Sequence, residues 1–422
     1  MSAASNAIQL EVDEPSPLVD DPARFAVVGL VPGEPVAVRT RWQVGGVAVA
    51  TEARFVAGPD GRVAPGADAS RGGTYRGRDA YGLWWSGAAA PPTGVAPLDT
   101  TVSVVCRGQQ VAEALLARRW VGIGVEVVPV AGDGLVGRYF RPQGPGRFPG
   151  VVVVGGSMGG TRGSDAKAAL LASRGVAAVA AAYFGVPGTP AGLAGVGVEY
   201  LHAWVGWLLA RDEVSGARVG VLGASRGSEL ALLAATRLAE VASVVVASPS
   251  AVLWPGIGVA PGEDTAAWTW QGQALPFVRT DPEVLTAQLA EEPVRLRPVF
   301  ERALAGAAGV AEIPVEDVHG PVLLLSGDDD ALWPAGPMAD ALWRRAKSHG
   351  AKHEVRHIRY RHAGHLCSSP AGIPVPSTIT HPLDGRRYDL GGTARGNGQA
   401  ASDAWGRTVD FLRRALGGQS TP

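Results

Sequence analysis

The sequence predicts a multidomain protein with an all-β, immunoglobulin-like sandwich over residues 1–128 and a doubly wound, mostly parallel α/β domain over residues 129–422. Three observations carry this expectation. The chain has 422 residues, more than one hydrophobic core usually serves. Up to residue 128, short apolar runs are broken by turn residues at the spacing of a sandwich. From about Val130 onward, wholly apolar strands alternate with helical stretches, the mark of a parallel sheet covered on both faces.

In the first half, Phe25–Leu30, Val36–Trp42, Val47–Phe55 and Thr101–Cys106 read as strands, separated by Pro-Gly, Gly-Gly and Pro-Asp-Gly breakers. The stretch Gln110–Arg118 reads as helical or irregular. A hairpin of Val125–Val130 and Gly134–Phe140 then leads to the strand Val151–Val154. Further strands are expected at Val176–Tyr183, Arg218–Gly223, Ala242–Ala247, Val322–Ser326 and Val355–Arg361. Helices are expected near 165–174, 198–211, 227–238, 336–348 and 402–416. The segment at about 250–316, which holds Trp254, Trp268 and Trp270, is too long for a loop and reads as a cap-like insertion with helices over the site.

Hydrophobic residues at 46% and charged residues at 18% describe a globular chain with a large core. A formal net charge of −1 gives no broad field for recruiting nucleic acid or an anionic membrane, so neither partner is expected. Cys106 and Cys367 are the two cysteines, which excludes a disulfide framework and fits a reducing compartment. The first residues lack the basic and apolar regions of a signal peptide, and the last three are not a peroxisomal signal. Apolar runs such as 149–156 and 176–184 are too short to span a bilayer. A cytoplasmic enzyme is expected, its oligomeric state unreadable.

The strongest local signal is Gly223-Ala-Ser225-Arg-Gly227, which follows an apolar strand and opens a helix. That strand–turn–helix setting is the nucleophile elbow of an α/β-hydrolase fold, with the Ser225 hydroxyl held out over a helix N-terminus. A plain βα turn is the competing reading. A serine nucleophile needs a base, and the base needs an orienting carboxylate, in the chain order Ser, acid, His. The strand Pro321–Ser326 runs into Gly327-Asp328-Asp329-Asp330, where the last acid lies past the strand end over the reactive edge. Asp330 is therefore the candidate acid, while Asp328 and Asp329 shape the turn.

Six histidines follow, at 349, 353, 357, 362, 365 and 381. His365 sits in Ala363-Gly-His-Leu366, where a loop after the last strand would swing it toward Ser225. His353 and His357 fall before or within that strand and read as surface or packing residues. His362 and His365 could form a metal pair, but no third ligand accompanies them at suitable spacing, so no metal is expected. A developing oxyanion needs two backbone donors. One is expected from Arg226 and the other from Ser157 or Met158 in Gly155-Gly-Ser-Met-Gly-Gly160. That run is alternatively a tight turn; it lacks the Gly-Lys-Ser/Thr of a phosphate loop.

Across both halves the chain resembles the family of bile acid-CoA:amino acid N-acyltransferases and type-I acyl-CoA thioesterases. The resemblance rests on Ile8-Gln-Leu, Gly29-Leu-Val-Pro and Gly72-Gly-Thr-Tyr-Arg-Gly-Arg-Asp-Ala-Tyr-Gly82-Leu-Trp-Trp-Ser86. Later it includes Phe148-Pro-Gly-Val, Leu171-Ala-Ser-Arg-Gly-Val-Ala, Ala182-Tyr-Phe-Gly185, Gly364-His365-Leu366, Gly391-Gly392 and Asp403-Ala-Trp405. It implies Ser225 as nucleophile, Asp330 as acid and His365 as base. Members with serine at the nucleophile position are mainly thioesterases, so it implies hydrolysis of a small-molecule acyl thioester on coenzyme A or a carrier, with no other cofactor. Two departures predict an altered pocket rim: Cys367-Ser-Ser-Pro-Ala-Gly replaces an acidic residue and paired prolines, and Asn397 replaces a histidine. Transfer to a small alcohol or amine acceptor is the nearest alternative, and an oxygen-ester hydrolase the next. An inactive hydrolase-fold binding protein is the alternative of a different class, against which the three intact residues speak.

Overall fold

The computed structural model describes residues 7–88, 94–258, 265–307 and 309–417. They form two compact units, one of residues 1–121 with 370–376, the other of 122–369 with 377–422. The division falls before Val125 and not at 128, because Val125–Gly132 pairs along its whole length with Leu135–Pro142 and opens the sheet of the second unit.

The first unit is built on a five-stranded antiparallel sheet. Its spatial order is Gly72–Gly73, Val47–Val56, Pro35–Val44, Leu98–Cys106 and Gln109–Arg118. Strict alternation along Pro35–Val44 buries Val36, Val38, Thr40, Trp42 and Val44 on one face. That face is covered by a ribbon of Gln9–Val12 and Phe25–Val28 and by a turn of helix, Gly82–Trp85, which drives Trp84 into the core. The cover is thus made of an antiparallel ribbon and a helical turn, and a single parallel bridge, Leu18 to Arg119, joins the segment after the first ribbon strand to the end of the sheet.

One element departs from expectation. Gln109–Arg118 is a strand, neither helical nor irregular. Its Gln, Glu, Ala and Leu residues favour a helix intrinsically, but the ladder to Leu98–Cys106 and the burial of Leu116 and Arg118 on alternate positions outweigh that preference. Arg118 is fully buried, with its guanidinium 4.1 Å from the Trp84 ring centre. It donates to the carbonyls of Val19 and Gly372, which offsets the cost of burying the charge.

The second unit contains an eight-stranded sheet. Its order is Val125–Gly132, Leu135–Pro142, Ala177–Ala181, Gly150–Val154, Val219–Ala224, Val241–Ala247, Val322–Gly327 and Val355–Tyr360. The first two strands run antiparallel to their neighbours, and from Ala177–Ala181 onward every pair is parallel. Gly150–Val154, Ala177–Ala181 and Val241–Ala247 are buried at every position, which is why they read as unbroken Val/Ala runs. This is the α/β-hydrolase arrangement, and it sends the loops after strands 150–154, 219–224, 322–327 and 355–360 to one edge of the sheet.

Helices Ser164–Ala172, Glu199–Leu209, Arg226–Ala235, Ala335–Ser348 and Ala394–Ala415 accompany the sheet. The last begins at Ala394 instead of 402. Gly396 and Gly398 weaken the helical signal there, but Thr393 caps the helix by accepting the Gly396 N–H. Within 250–316 the described residues form the strands Trp268–Trp270 and Gln273–Ala274 and the helices Pro282–Leu289 and Arg297–Leu304. No helix among the described residues is long and apolar enough to cross a membrane.

Candidate active site

Ser225 joins the strand Val219–Ala224 to the helix Arg226–Ala235 with φ +54° and ψ −124°, a sparsely populated conformation for a residue with a Cβ. The turn depends on its glycines through close approach. A Cβ on Gly223 would lie 2.4 Å from the Gly227 carbonyl oxygen, and one on Gly227 would lie 2.2 Å from that of Gly155. The positive φ falls on the serine itself, which is how its hydroxyl is raised clear of the helix.

Three sequence-predicted residues come together there. His365 Nε2 lies 2.9 Å from Ser225 Oγ, and His365 Nδ1 lies 2.7 Å from Asp330 Oδ2. The other carboxylate oxygen, Oδ1, accepts the N–H groups of Leu332 at 2.9 Å and Trp333 at 3.1 Å. Asp330 is 1% exposed and His365 7%. The neighbouring acids are engaged elsewhere: Asp328 pairs with Arg359 at 2.8 Å, and half-exposed Asp329 lies 3.6 Å from His362.

The loop that carries His365 is tied at several points. Its N–H donates to the Leu390 carbonyl, and its own carbonyl accepts the Ser248 hydroxyl at 2.6 Å. One residue earlier, the Gly364 N–H donates to Asn397 Oδ1 at 2.7 Å, and Asn397 Nδ2 reaches the Gly391 carbonyl. Asn397 is 1% exposed and Cys367 fully buried. Neither therefore shapes the pocket rim as the sequence suggested, because the chain turns inward directly after His365. Burial pushes the Cys367 thiol up to about 12.

The loop Gly155–Gly160 runs beside Ser225. A Cβ on Gly156 would lie 2.9 Å from Ser225 Cβ, so this backbone has no room for a side chain. The N–H groups of Arg226, Ser157 and Met158 take no acceptor among the described residues. Ser157 Oγ lies 3.2 Å from His381 Nε2, a contact with no signal in the sequence.

The Arg226 side chain is buried. It donates to the carbonyls of Trp254 at 3.1 Å and Pro255 at 3.0 Å. Its Nε lies 3.1 Å from Glu229 Oε1 in an ionic contact misaligned for a hydrogen bond. Glu229 Oε2 accepts Trp268 Nε1 at 2.8 Å and the Trp254 N–H at 3.3 Å. Burial pushes the Glu229 carboxyl up to about 7 against the opposing pull of Arg226. The pair pins the insertion to the first turn of the elbow helix. The Arg–Glu spacing of three was the signal that could have found it.

A second Ser–His–Asp row exists in this unit. Ser326 Oγ is 2.8 Å from His357 Nε2, and His357 Nδ1 is 2.8 Å from Asp340. Ser326 is fully buried, so no substrate reaches it, and the row serves packing, as expected of His357.

Residues 196–418 match the family model described as BAAT / acyl-CoA thioester hydrolase C terminal. Residues 20–132 match the model described as acyl-CoA thioester hydrolase/BAAT N-terminal region. The chain is 28% identical over 413 residues to Acyl-coenzyme A thioesterase 6 of Mus musculus, covering 95% of this chain and 94% of that one. It is 29% identical over 412 residues to Acyl-coenzyme A thioesterase 1 of Homo sapiens, covering 94% of each. The likeness to the solved acylaminoacyl peptidase of Pyrococcus horikoshii has a TM-score of 0.46 at 13% identity, over 90% of this chain and 56% of that one. With both family models matched in their order along one chain, the protein belongs to the BAAT/acyl-CoA thioester hydrolase family.

Proposed function

We propose that the protein hydrolyses acyl-CoA-type thioesters through an acyl-serine intermediate on Ser225. The observation that carries this reading is the hydrogen-bonded row Ser225–His365–Asp330 beside backbone donors that take no acceptor among the described residues, in a chain of this family. The relatives' own names, acyl-coenzyme A thioesterases, support the substrate class.

In the first half-reaction, His365 Nε2 takes the Ser225 proton as Oγ attacks the thioester carbonyl. The N–H of Arg226, with that of Ser157 or Met158, holds the oxyanion. Collapse expels the thiolate of coenzyme A, which leaves as the thiol with the proton from His365. In the second, His365 deprotonates water, which attacks the acyl-serine, and collapse returns the hydrogen to Ser225 Oγ and frees a carboxylic acid. Asp330 keeps Nδ1 protonated and stabilises the imidazolium. The steps balance without a metal or redox partner, so coenzyme A enters only as part of the substrate. We place the enzyme in the cytoplasm, a reading supported by two free, buried cysteines.

Turnover of acyl-CoAs of graded length in ¹⁸O-labelled water, with and without an amine or alcohol, tests this proposal. One ¹⁸O in the free acid and no dependence on the acceptor is the expected result. Conjugate formation, with little free acid when no acceptor is present, would make the protein a transferase.

A further inference from the structure

The strand Ala177–Ala181 runs on into Ala182-Tyr183-Phe184-Gly185, a segment that the proposed chemistry leaves without a role. Tyr183 is 2% exposed, its ring held between Phe184 at 5.1 Å and Trp268 at 5.8 Å. Its hydroxyl lies 2.8 Å from the Gly155 carbonyl oxygen and 3.2 Å from that of Gly156. Neither carbonyl can donate, so the single phenolic hydrogen is shared between them. Burial raises the phenol far above its ordinary range, so it remains a donor throughout the pH range of the enzyme.

These two carbonyls belong to the loop that lies against the nucleophile. A peptide unit is planar and trans, so its C=O and the following N–H point in opposite directions. Drawing the Gly155 oxygen toward the phenol therefore turns the Gly156 N–H away from it. Drawing in the Gly156 oxygen does the same for Ser157, whose N–H takes no acceptor among the described residues. Gly155 and Gly156 have no side chains of their own to fix these planes, and Gly156 lies in contact with Ser225.

We infer that Tyr183 is a positioning residue for oxyanion stabilisation: its hydroxyl orients the Gly155 and Gly156 peptide planes so that the Ser157 N–H faces the oxygen of the tetrahedral intermediate. This rests on the acyl-serine reading above. It also chooses Ser157 over Met158 as the loop donor. His381 also contacts this residue, at its hydroxyl and at its backbone, while the Gly155 and Gly156 carbonyls are held by Tyr183.

Tyr183→Phe removes one oxygen and keeps the ring. The expected result is a kcat lower by roughly 10- to 100-fold with KM changed less than about threefold, a smaller loss than deleting an oxyanion donor outright. Affinity for an acyl trifluoromethyl ketone analogue of the thioester, which forms a tetrahedral adduct with serine, should fall by the same factor as kcat/KM. Affinity for a non-hydrolysable alkyl thioether of coenzyme A should hold. A role in stability alone would lower the melting temperature without separating these two inhibitors. If the Phe variant does not fold, 4-aminophenylalanine at position 183 keeps both ring and donor and should restore kcat to within about threefold of wild type. A folded Tyr183→Phe enzyme with undiminished ketone affinity overturns the inference, as does a folded aminophenylalanine enzyme that stays slow. A wild-type enzyme that forms no ketone adduct on Ser225 overturns instead the acyl-serine reading beneath it.

Discussion

Replacing Asp330 by asparagine changes one atom, and the structure dictates what that change does. Oδ1 of Asp330 accepts two backbone N–H groups, from Leu332 at 2.9 Å and Trp333 at 3.1 Å, while Oδ2 faces His365 Nδ1 at 2.7 Å. In the asparagine variant, the amide oxygen must remain with the two N–H donors, because turning the NH₂ group toward them would leave three buried donors facing one another. The NH₂ group then points at Nδ1 and forces the imidazole to carry its hydrogen on Nε2. Nε2 lies 2.9 Å from Ser225 Oγ, so the histidine now donates to the serine and cannot take its proton. The wrong tautomer should lower kcat by roughly 10³- to 10⁴-fold, or ~4–5 kcal/mol of transition-state stabilisation, with little effect on the fold. Release of free coenzyme A thiol, followed colorimetrically alongside a thermal melt, measures both. Asp328→Asn and Asp329→Asn should stay within about tenfold of wild type, since neither carboxylate reaches His365. A folded Asp330→Asn enzyme within tenfold of wild type, or a crippled Asp329→Asn, would refute the tautomer argument.

The remaining expectations concern the groups around this row. Ser225→Cys should acylate and then favour aminolysis over hydrolysis when glycine is supplied, because an acyl thioester reacts with amines more readily than an oxygen ester does; an unchanged product ratio by mass spectrometry would count against this. Asn397→Ala strips partners from the buried Gly364 N–H and Gly391 carbonyl and should cost ~2–4 kcal/mol in a urea melt, with kcat falling more than KM rises. Glu229 binds its proton more tightly in the folded state, at about 7 against an ordinary 4.5, so its contribution is fully present below about pH 4.5 and lost as pH rises toward 7. The stability of wild type relative to Glu229→Gln should therefore fall by on the order of 3 kcal/mol across that window; a flat difference in urea melts from pH 4.5 to 8 would contradict it.

What the sequence made legible was local. The elbow could be read because strand, glycines, serine and helix are contiguous, and the parallel sheet because strands such as Gly150–Val154 are apolar at every position. Asp330 could be separated from Asp328 and Asp329 by counting past the strand end. What escaped depends on partners distant in sequence. Gln109–Arg118 has the composition of a helix, and only its ladder with Leu98–Cys106 makes it a strand. Asn397 and Cys367 looked like rim residues from their distance to the Gly-His-Leu motif, yet both pack behind the histidine. Tyr183 acts on carbonyls some thirty residues earlier, a contact that no spacing rule anticipates. The row Ser326–His357–Asp340 shows the converse, since its side chains match the chemistry while burial removes it from any substrate.

The proposed chemistry requires a covalent bond between the acyl group and Ser225. Mixing the protein with a long-chain acyl-CoA, quenching in acid within milliseconds and mapping peptides by mass spectrometry observes that bond directly. The expected result is one acyl group on the peptide containing Ser225, forming with the release of coenzyme A and decaying with the appearance of free acid, and none in Ser225→Ala. An acyl group on Cys106 or Cys367, or undiminished turnover by Ser225→Ala, would contradict the account.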